Sequence, residues 1–337
     1  MDWFERLTGF RETEYNDTRS KLEVEGAKLR SKVTGRSYGI GTLELVSLQT
    51  LRDRVCAGSG LPGRLKVSLV RGDVRKIHRR PENFGALFQV ASQFNLLEMI
   101  SPTVTPEQGV SRYERDQTQG PACAVAAGAA TIYRNYFAKV DGYEGQTKDR
   151  QFDGLADVGS ALGQALGLPV ESLWRMQNGY ALCAPDGLKA ISRHLESLSK
   201  EQLKVLGGKL RIGVHTDVEV TDSDEPKRQL VSQAFCSALP VAYSSIPQRQ
   251  WKSFATLLLQ AAYEATMCAA VLNAERGASN VVFLTRLGGG AFGNDDGWIH
   301  YAIREALQMV RGTALDVRLV SYGPPTEALE QIVRDFE

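Results

Sequence analysis

A stretch near the carboxyl end decides the fold predicted for this chain: Asn280-Val281-Val282-Phe283-Leu284-Thr285-Arg286-Leu287-Gly288-Gly289-Gly290-Ala291-Phe292-Gly293-Asn294-Asp295. Its beginning is typical of a short buried strand, and residues 296–310 carry apolar side chains at the spacing of one buried helix face. Glycines allow the backbone to turn with positive φ and to approach a ligand, while unpaired amides and the dipole of the following helix favour a phosphate. The stretch therefore predicts an anion site; a tight connection with nothing bound is the plainer alternative.

Composition and charge restrict the classes of partner. The chain has 337 residues, 43% of them hydrophobic and 23% charged, which fits one elaborated globular α/β domain. Lysine and arginine total 40 against 39 acidic residues, so the net charge of +1 gives no general electrostatic reason to bind nucleic acid or an acidic membrane. A ligand that bears phosphate would have to be held locally.

The amino terminus and the cysteines predict an intracellular protein. Residues 1–6 are charged at once and no apolar segment follows them, which disfavours a secretory signal. No uninterrupted apolar stretch approaches the roughly 18 residues of a membrane span. The five cysteines are odd in number, scattered, and form no Cys-x-x-Cys pair, as expected in a reducing compartment. We expect a cytoplasmic location, and a nuclear one stays open.

Strands alternate with helices along most of the chain, which predicts a mostly parallel sheet between helices, with its ligand crevice at the carboxyl ends of the strands. Residues 1–60 are interpreted as an extension packed on the core, and 61–337 as the main domain with a helical insertion at about 140–208. The predicted strands are 64–70, 86–91, 210–214, 218–220, 280–285 and 317–322. The predicted helices are 120–137, 155–166, 186–198, 253–273, 296–310 and 326–336.

The glycine turn also fits another motif. Gly288-x-Gly290-x-x-Gly293 matches the dinucleotide fingerprint, so a nicotinamide-dependent oxidoreductase has to be considered. That fingerprint normally opens several successive βαβ units, whereas one strand and one helix remain here. The nearby acid, Asp316, begins the next strand instead of ending it. This alternative is therefore less favoured.

Acidic residues in the loop before residue 120 are candidates for catalysis, because cleaving a glycosidic bond requires a carboxyl group to protonate the leaving group or activate water. For Asp116 a catalytic role and a helix-capping role are equally compatible with the sequence, and Glu107 is a further candidate. Glu98 and Glu114 are better explained as ordinary loop acids. Asp295, like its neighbour, is better explained as a helix cap than as a catalyst.

The histidines, cysteines and aromatic residues give little further indication of a functional site. The histidines, at positions 78, 194, 215 and 300, lack metal-ligand spacing, so no dedicated metal site is predicted. Cys236 lies in a stretch, 234–243, that is too apolar for an activated nucleophile and is interpreted as core or pocket wall. Phe292 could stack on a ring or pack in the core.

The order of these parts resembles a macrodomain, the fold that binds ADP-ribose. The resemblance lies in Val70-Arg71-Gly72-Asp73-Val74, in Gln89-Val90-Ala91-Ser92-Gln93-Phe94-Asn95, in the small-residue helix after Gly120, and in Gly290-Ala291-Phe292-Gly293. The longer form, with Asp116-x-Thr118-Gln119-Gly120-Pro121, is similar to a divergent branch related to poly(ADP-ribose) glycohydrolases. The resemblance implies a three-layer α/β/α sandwich with a mixed, mostly parallel sheet.

It also implies ligand contacts: Asp73 with the adenine amino group, Asn95 with the distal ribose, and the glycine turn with the diphosphate. The full set of implied ligand-binding residues is Asp73, Val74, Gln93, Asn95, Gln119, Gly120, Gly288, Gly289, Gly290, Ala291, Phe292, Gly293 and Asn294. The family's Asn-Ala-Ala-Asn and Gln-Glu-Glu sequences are missing, which leaves the catalytic acid unassigned. Asp116 is the first choice and Asp295 the second.

The resemblance thus implies an ADP-ribosylhydrolase that removes ADP-ribose from protein side chains, with arginine as one candidate. Its partners would be ADP-ribose and ADP-ribosylated proteins, with no cofactor; whether a divalent ion assists is left open. A reader that binds ADP-ribosylated proteins without turnover is the main alternative.

Overall fold

The computed structural model describes residues 1–223 and 228–337. The described strands are β1 (Leu22–Glu25), β2 (Lys28–Ser31), β3 (Ser37–Gly39), β4 (Thr42–Ser47), β5 (Lys66–Arg71), β6 (Leu87–Ala91), β7 (Lys139–Val140), β8 (Tyr143–Glu144), β9 (Trp174–Gln177), β10 (Tyr180–Cys183), β11 (Arg211–Glu219), β12 (Leu230–Cys236), β13 (Val281–Leu284) and β14 (Asp316–Ser321). The described α-helices are α1 (Trp3–Thr8), α2 (Tyr15–Ser20), α3 (Leu48–Ala57), α4 (Val74–His78), α5 (Gln119–Ala126), α6 (Gly128–Tyr136), α7 (Ala156–Leu166), α8 (Val170–Leu173), α9 (Pro185–Ser197), α10 (Lys200–Gly207), α11 (Lys252–Glu275), α12 (Asp296–Met309) and α13 (Glu327–Asp335).

A seven-stranded sheet in the order β4-β11-β12-β6-β13-β14-β5 forms the centre of the fold. The neighbours from β12 to β5 pair in parallel, and the pairs β4–β11 and β11–β12 are antiparallel. Strands of a parallel sheet are buried on both faces and consist of continuous apolar runs. All four residues of β13 are buried, as this rule requires. The predicted mixed, mostly parallel sheet is confirmed.

Helices cover both faces of the sheet, which confirms the three-layer arrangement. On one face, α11 and α12 pack on side chains such as Val282 and Leu284. On the other face, α4, α5 and α6 pack on side chains such as Phe88 and Phe283. By length and hydropathy α11 could cross a bilayer, but 78% of its most apolar window is buried inside the protein, as is usual for a core helix.

The amino-terminal part differs from the prediction. Strand β4 is the edge strand of the central sheet and α3 packs on α11, so the boundary placed at residue 60 cuts through the fold. The alternation of Leu43, Glu44 and Leu45 is the pattern of a half-buried strand, so β4 was predictable from the sequence; the Glu44 carboxylate pairs with Arg54 of α3 at 2.6 Å. The preceding residues form a small antiparallel sheet, β1-β2-β3, and α1 packs against α6.

Most predicted elements are present within a few residues, with four differences. The predicted strands 210–214 and 218–220 are one strand, β11, whose pairing with β12 shifts register between His215 and Val218. The predicted helix 120–137 is divided at Ala127, whose φ and ψ of −111° and 55° interrupt the helix between α5 and α6. Strand β12 was missed because buried polar residues, Ser232 and Gln233, interrupt its apolar run. The insertion contains the two predicted helices, as α7 and α9, and also the hairpin β9–β10, which was not predicted.

Candidate functional site

A cleft lies where β6, β12 and β13 end, between the glycine turn (residues 286–294) and the first turn of α5. This is the edge at which parallel α/β sheets bind ligands, because the connections there leave a crevice. Eight of the predicted site residues line it: Gln93, Asp116, Gln119, Gly120, Gly288, Gly290, Ala291 and Phe292.

The glycine turn, residues 286–294, is closed by its own main chain. Gly288 and Gly293 have φ values of 72° and 68°, a left-handed conformation that side chains with a Cβ rarely adopt. Asn294 fixes the turn, since its amide donates to the Gly288 carbonyl at 3.0 Å and its side chain donates to the Leu239 carbonyl at 2.8 Å. Asn294 therefore holds the loop and does not line the cleft.

Three consecutive amides of this turn, those of Gly290, Ala291 and Phe292, have no acceptor within the described part of the chain. All three residues line the cleft, and a Cβ built on Gly290 would meet nothing within 4 Å. Unpaired amides in a turn form a concavity that suits an anion. The turn is thus equipped to bind a negatively charged group from the cleft.

The first turn of α5 supplies a second set of donors. The amides of Gln119 and Gly120 have no acceptor among residues 1–223 and 228–337, and the Thr118 side chain makes no capping hydrogen bond. Unpaired amides and the helix dipole together favour an anion at a helix amino terminus. Gln119 and Gly120 line the same cleft as residues 290–292, so both sets of amides lie in its walls.

The close approach of α5 to the sheet depends on glycine. A Cβ on Gly120 would lie 1.9 Å from the Ala91 carbonyl oxygen, so no larger residue fits at this position. The Gln119 side chain ties the same turn to β6, donating to the Gln89 carbonyl at 2.8 Å and accepting from the Ala91 amide at 2.9 Å. The main-chain amide of Gln119, and not its side chain, is therefore free to bind a ligand.

Three aromatic side chains form one wall of the cleft. The ring centroids of Tyr180, Tyr243 and Phe292 lie 5.2–5.8 Å apart, and the Tyr180 hydroxyl donates to the Met99 carbonyl at 2.6 Å. Burial raises the pKa of Tyr180 well above its usual value, so this hydroxyl stays a donor. Sequence analysis missed Tyr180, because the hairpin that carries it was not predicted. Tyr243 ends the stretch that was interpreted as core or pocket wall.

Two acids line the cleft in different environments. Asp116 is partly exposed and one of its oxygens accepts the Thr118 amide at 2.8 Å, so it combines a local turn contact with a place at the cleft. Glu98 has a fully buried side chain that lies 3.2 Å from the guanidinium of Arg134. Burial raises the pKa of Glu98 to about 7, although the charge of Arg134 lowers it.

The interpretation of Glu98 as an ordinary loop acid is corrected by this burial. Its sequence neighbours Leu97 and Met99 are buried apolar residues, and they draw the acid into the interior with them. That apolar context was visible in the sequence; its ionic partner, 36 residues further along, was not.

The structure places three predicted site residues away from the cleft. Asn95 is fully buried, and its side chain donates to Gln151 at 2.7 Å and accepts the Leu97 amide at 3.1 Å, so it is not available to a ribose. Glu107 lies on another part of the surface, where its carboxylate accepts a hydrogen bond from the main-chain amide of Lys148 at 2.7 Å. Asp295 caps α12 through the amide at position 297 and lines a separate cavity.

Further members of the implied ligand set also lie outside the cleft surface. Asp73 caps α4 by accepting the Arg75 amide at 2.9 Å, and Val74 is buried in that helix. Gly289 and Gly293 belong to the turn but do not line the cleft. Among the described residues no group of three or more His, Cys, Asp and Glu side chains is placed to hold a metal ion.

The fold and the cleft define an α/β protein in which main-chain amides without an acceptor among the described residues line a cleft at the carboxyl edge of the sheet. No family model matches the chain, and no curated protein matches it. The chain is similar to the solved structure of poly(ADP-ribose) glycohydrolase from Deinococcus radiodurans in complex with ADP-ribose, with 12% identity over 87% of this chain and 92% of that chain and a TM-score of 0.46. It is also similar to poly(ADP-ribose) glycohydrolase from Thermomonospora curvata, with 11% identity over 92% and 94% and a TM-score of 0.43. The resemblance noted in the sequence is to the same branch.

Proposed function

We propose that the cleft binds ADP-ribose and that the protein hydrolyses the bond between ADP-ribose and a protein side chain. One observation carries the proposal. Two sets of main-chain amides, at 290–292 and at 119–120, have no acceptor among the described residues and line the same cleft. A diphosphate presents two adjacent anionic groups, so each set can serve one of them.

The remaining walls suit the rest of such a ligand. The aromatic wall of Tyr180, Tyr243 and Phe292 offers apolar faces on which a base or sugar ring can pack. Asp116 adds a partly exposed carboxylate to the lining of the cleft. An anion site, an aromatic wall and an acid are the parts that binding and cleaving a nucleotide sugar requires.

In the proposed reaction a water molecule attacks the anomeric carbon of the distal ribose. Asp116 accepts a proton from that water as the new carbon–oxygen bond forms. The bond from the anomeric carbon to the side-chain atom breaks, and the side chain leaves with a proton taken from solvent. The products are ADP-ribose and the unmodified side chain, which for an arginine linkage is the free guanidinium.

Replacing Asp116 by asparagine is expected to lower the release of ADP-ribose from modified protein by about 100-fold or more, since a general base contributes about 10² to 10⁴. Asparagine can still accept the Thr118 amide, so calorimetry should show binding of free ADP-ribose within about threefold of the parent. The matched control is Glu107→Gln, which changes another acid of the same loop outside the cleft and should leave release unchanged. Release at the parental rate by Asp116→Asn would remove this residue from the mechanism.

A reader without turnover is the second candidate, and one observation favours it. Glycosidases generally use two carboxyl groups, whereas among the described residues lining the cleft Asp116 is the one acid whose side chain is not fully buried. Incubation with a mono-ADP-ribosylated protein separates the candidates: a reader retains the label on its target and a hydrolase releases it. Substrates linked through arginine, serine and glutamate then establish the linkage. Absence of calorimetric heat at millimolar ADP-ribose would reject both candidates.

A further inference from the structure

A second, wider groove adjoins the cleft and shares two residues with it, Ile100 and Asp116. It encloses more space than the cleft does. The short 3₁₀ segment Ser111–Arg115 forms one side, and residues near the amino terminus form the other. A molecule whose reacting bond lies at Asp116 would extend from the cleft into this groove.

The carboxylates of the groove are already engaged with the protein. Each of them accepts at least one hydrogen bond from a main-chain amide or a side chain of the described residues. The most heavily engaged is Glu12, which accepts two amides and the Tyr136 hydroxyl. The charge of Glu114 is paired with Arg6 at 2.6 Å. Glu12 and Glu114 are therefore largely satisfied within the protein, whereas Asp2 and Asp116 each accept one hydrogen bond from it.

Two guanidinium groups in the groove are not engaged in this way. Arg112 and Arg115 are exposed and line the groove, and neither side chain has a hydrogen bond or an ion pair with any residue that the structure describes. They are three positions apart in a 3₁₀ segment, where side chains at i and i+3 lie above one another on the same side. Arg112 and Arg115 are therefore the charged donors of the groove that remain free, beside the uncharged side chains of Gln108 and Gln117, and each guanidinium can bind a carboxylate or phosphate.

The lining of the groove distinguishes between these two anions. None of its described lining residues is aromatic, in contrast to the cleft with its wall of Tyr180, Tyr243 and Phe292. A further nucleotide unit would bring a base that needs an aromatic face to stack on. A peptide bearing carboxylates needs no such face, and the open, polar groove can take its backbone.

We propose that this groove receives the polypeptide that carries the ADP-ribose, and that Arg112 and Arg115 select carriers with acidic residues beside the modified side chain. The inference rests on the proposed function, because it requires the reacting bond to lie near Asp116. It adds a partner chemistry that the cleft alone does not specify.

The test measures binding of two ADP-ribosylated peptides that share the modified residue and differ in its flanks, Asp and Glu in one and Asn and Gln in the other. Using Asp116→Asn as the background prevents hydrolysis during the measurement. The acidic peptide should bind about tenfold more tightly than the neutral one at low salt, and Arg112→Glu with Arg115→Glu should remove or reverse this preference. The matched control is Arg193→Glu, an exposed arginine on α9, which should leave the preference unchanged.

Free ADP-ribose separates the two proposals. Unchanged binding of free ADP-ribose by the double variant, together with a lost peptide preference, supports the groove assignment. An equal preference in the parent and the double variant would overturn the groove assignment and leave the cleft proposal standing. A double variant that loses affinity for an ADP-ribose chain but not for the acidic peptide would overturn it in favour of a nucleotide occupant. Failure of the parent to bind free ADP-ribose would reject both proposals, and thermal unfolding of each variant confirms that it is folded.

Discussion

Gly288→Ala is expected to lower the affinity for ADP-ribose by about 100-fold or more, because a hydrogen bond to a charged group contributes about 1.5–3 kcal/mol and the turn offers three such donors. Gly288 has a φ of 72°, and an added Cβ would lie 2.5 Å from the Cβ of Ala238 and 2.8 Å from the side-chain nitrogen of Asn294. The turn has to open to relieve these contacts, which separates the three unpaired amides. The strained backbone should also lower the free energy of unfolding by about 1–3 kcal/mol. Calorimetry and urea unfolding measure the two effects.

Gly290→Ala is the matched control within the same turn. The φ of Gly290 does not lie in the left-handed region, and a Cβ there would meet nothing within 4 Å. The variant should keep the parental stability, so any loss of affinity would report a contact between the new methyl group and the ligand. Should Gly288→Ala bind ADP-ribose as tightly as the parent, the glycine turn would not be the anion site.

This pair of variants also shows which parts of the site are readable from local sequence. The strand, glycine turn and helix at 280–310 are continuous in the chain, and each follows a local rule of periodicity or backbone conformation. The meeting of this turn with Asp116 and Gly120 follows from a general property of parallel sheets, whose strand ends converge at one edge. These features were therefore predictable without coordinates.

The features that could not be predicted depend on contacts between distant segments. Tyr180 reaches the cleft from a hairpin inside the insertion, and nothing near it in the sequence indicates that contact. Asn95 follows a strand as a ligand-binding residue would, but Gln151, 56 residues later, holds its side chain inside the protein. Local pattern thus identifies candidates near a site, and tertiary packing decides which side chains remain free to act.

The largest expected effect on stability comes from the buried pair of Glu98 and Arg134. The side chains of both are fully buried, with Arg134 also stacked 3.9 Å from the ring centroid of Phe235. Removing one member of a buried ion pair leaves an uncompensated charge, which typically costs about 3–5 kcal/mol. At pH 8, where the Glu98 carboxyl is ionised, Glu98→Leu should show this full loss, because a guanidinium cannot release its proton. Arg134→Met should lose less, because the remaining carboxyl can take up a proton.

Matched variants test that the loss comes from the uncompensated charge. The double variant Glu98→Leu with Arg134→Met should recover most of the stability, since apolar replacement of both partners removes the buried charges together. Asp157→Asn, which breaks the half-exposed pair with Arg211, should cost less than about 1 kcal/mol. The side chain of Glu98 also lies close to the first turn of α5. A Cβ added at Gly120 would be 3.1 Å from the Cγ of Glu98. The single variants should therefore weaken ADP-ribose binding as well.

The pH dependence of the two single variants should have opposite signs. In the folded protein the pKa of Glu98 lies at about 7, above its ordinary value of 4.5, so the folded state binds more protons between these values. The stability from this carboxyl is fully present below about pH 4.5 and is lost as the pH rises through 7. Glu98→Leu lacks this contribution, so its deficit relative to the parent should be larger at pH 5.5 than at pH 8. Arg134→Met should show a larger deficit in the free energy of unfolding at pH 8 than at pH 5.5. At pH 8 more free energy is needed to keep the remaining Glu98 carboxyl protonated. Equal deficits at both pH values, measured by urea unfolding, would show that Glu98 does not titrate in this range.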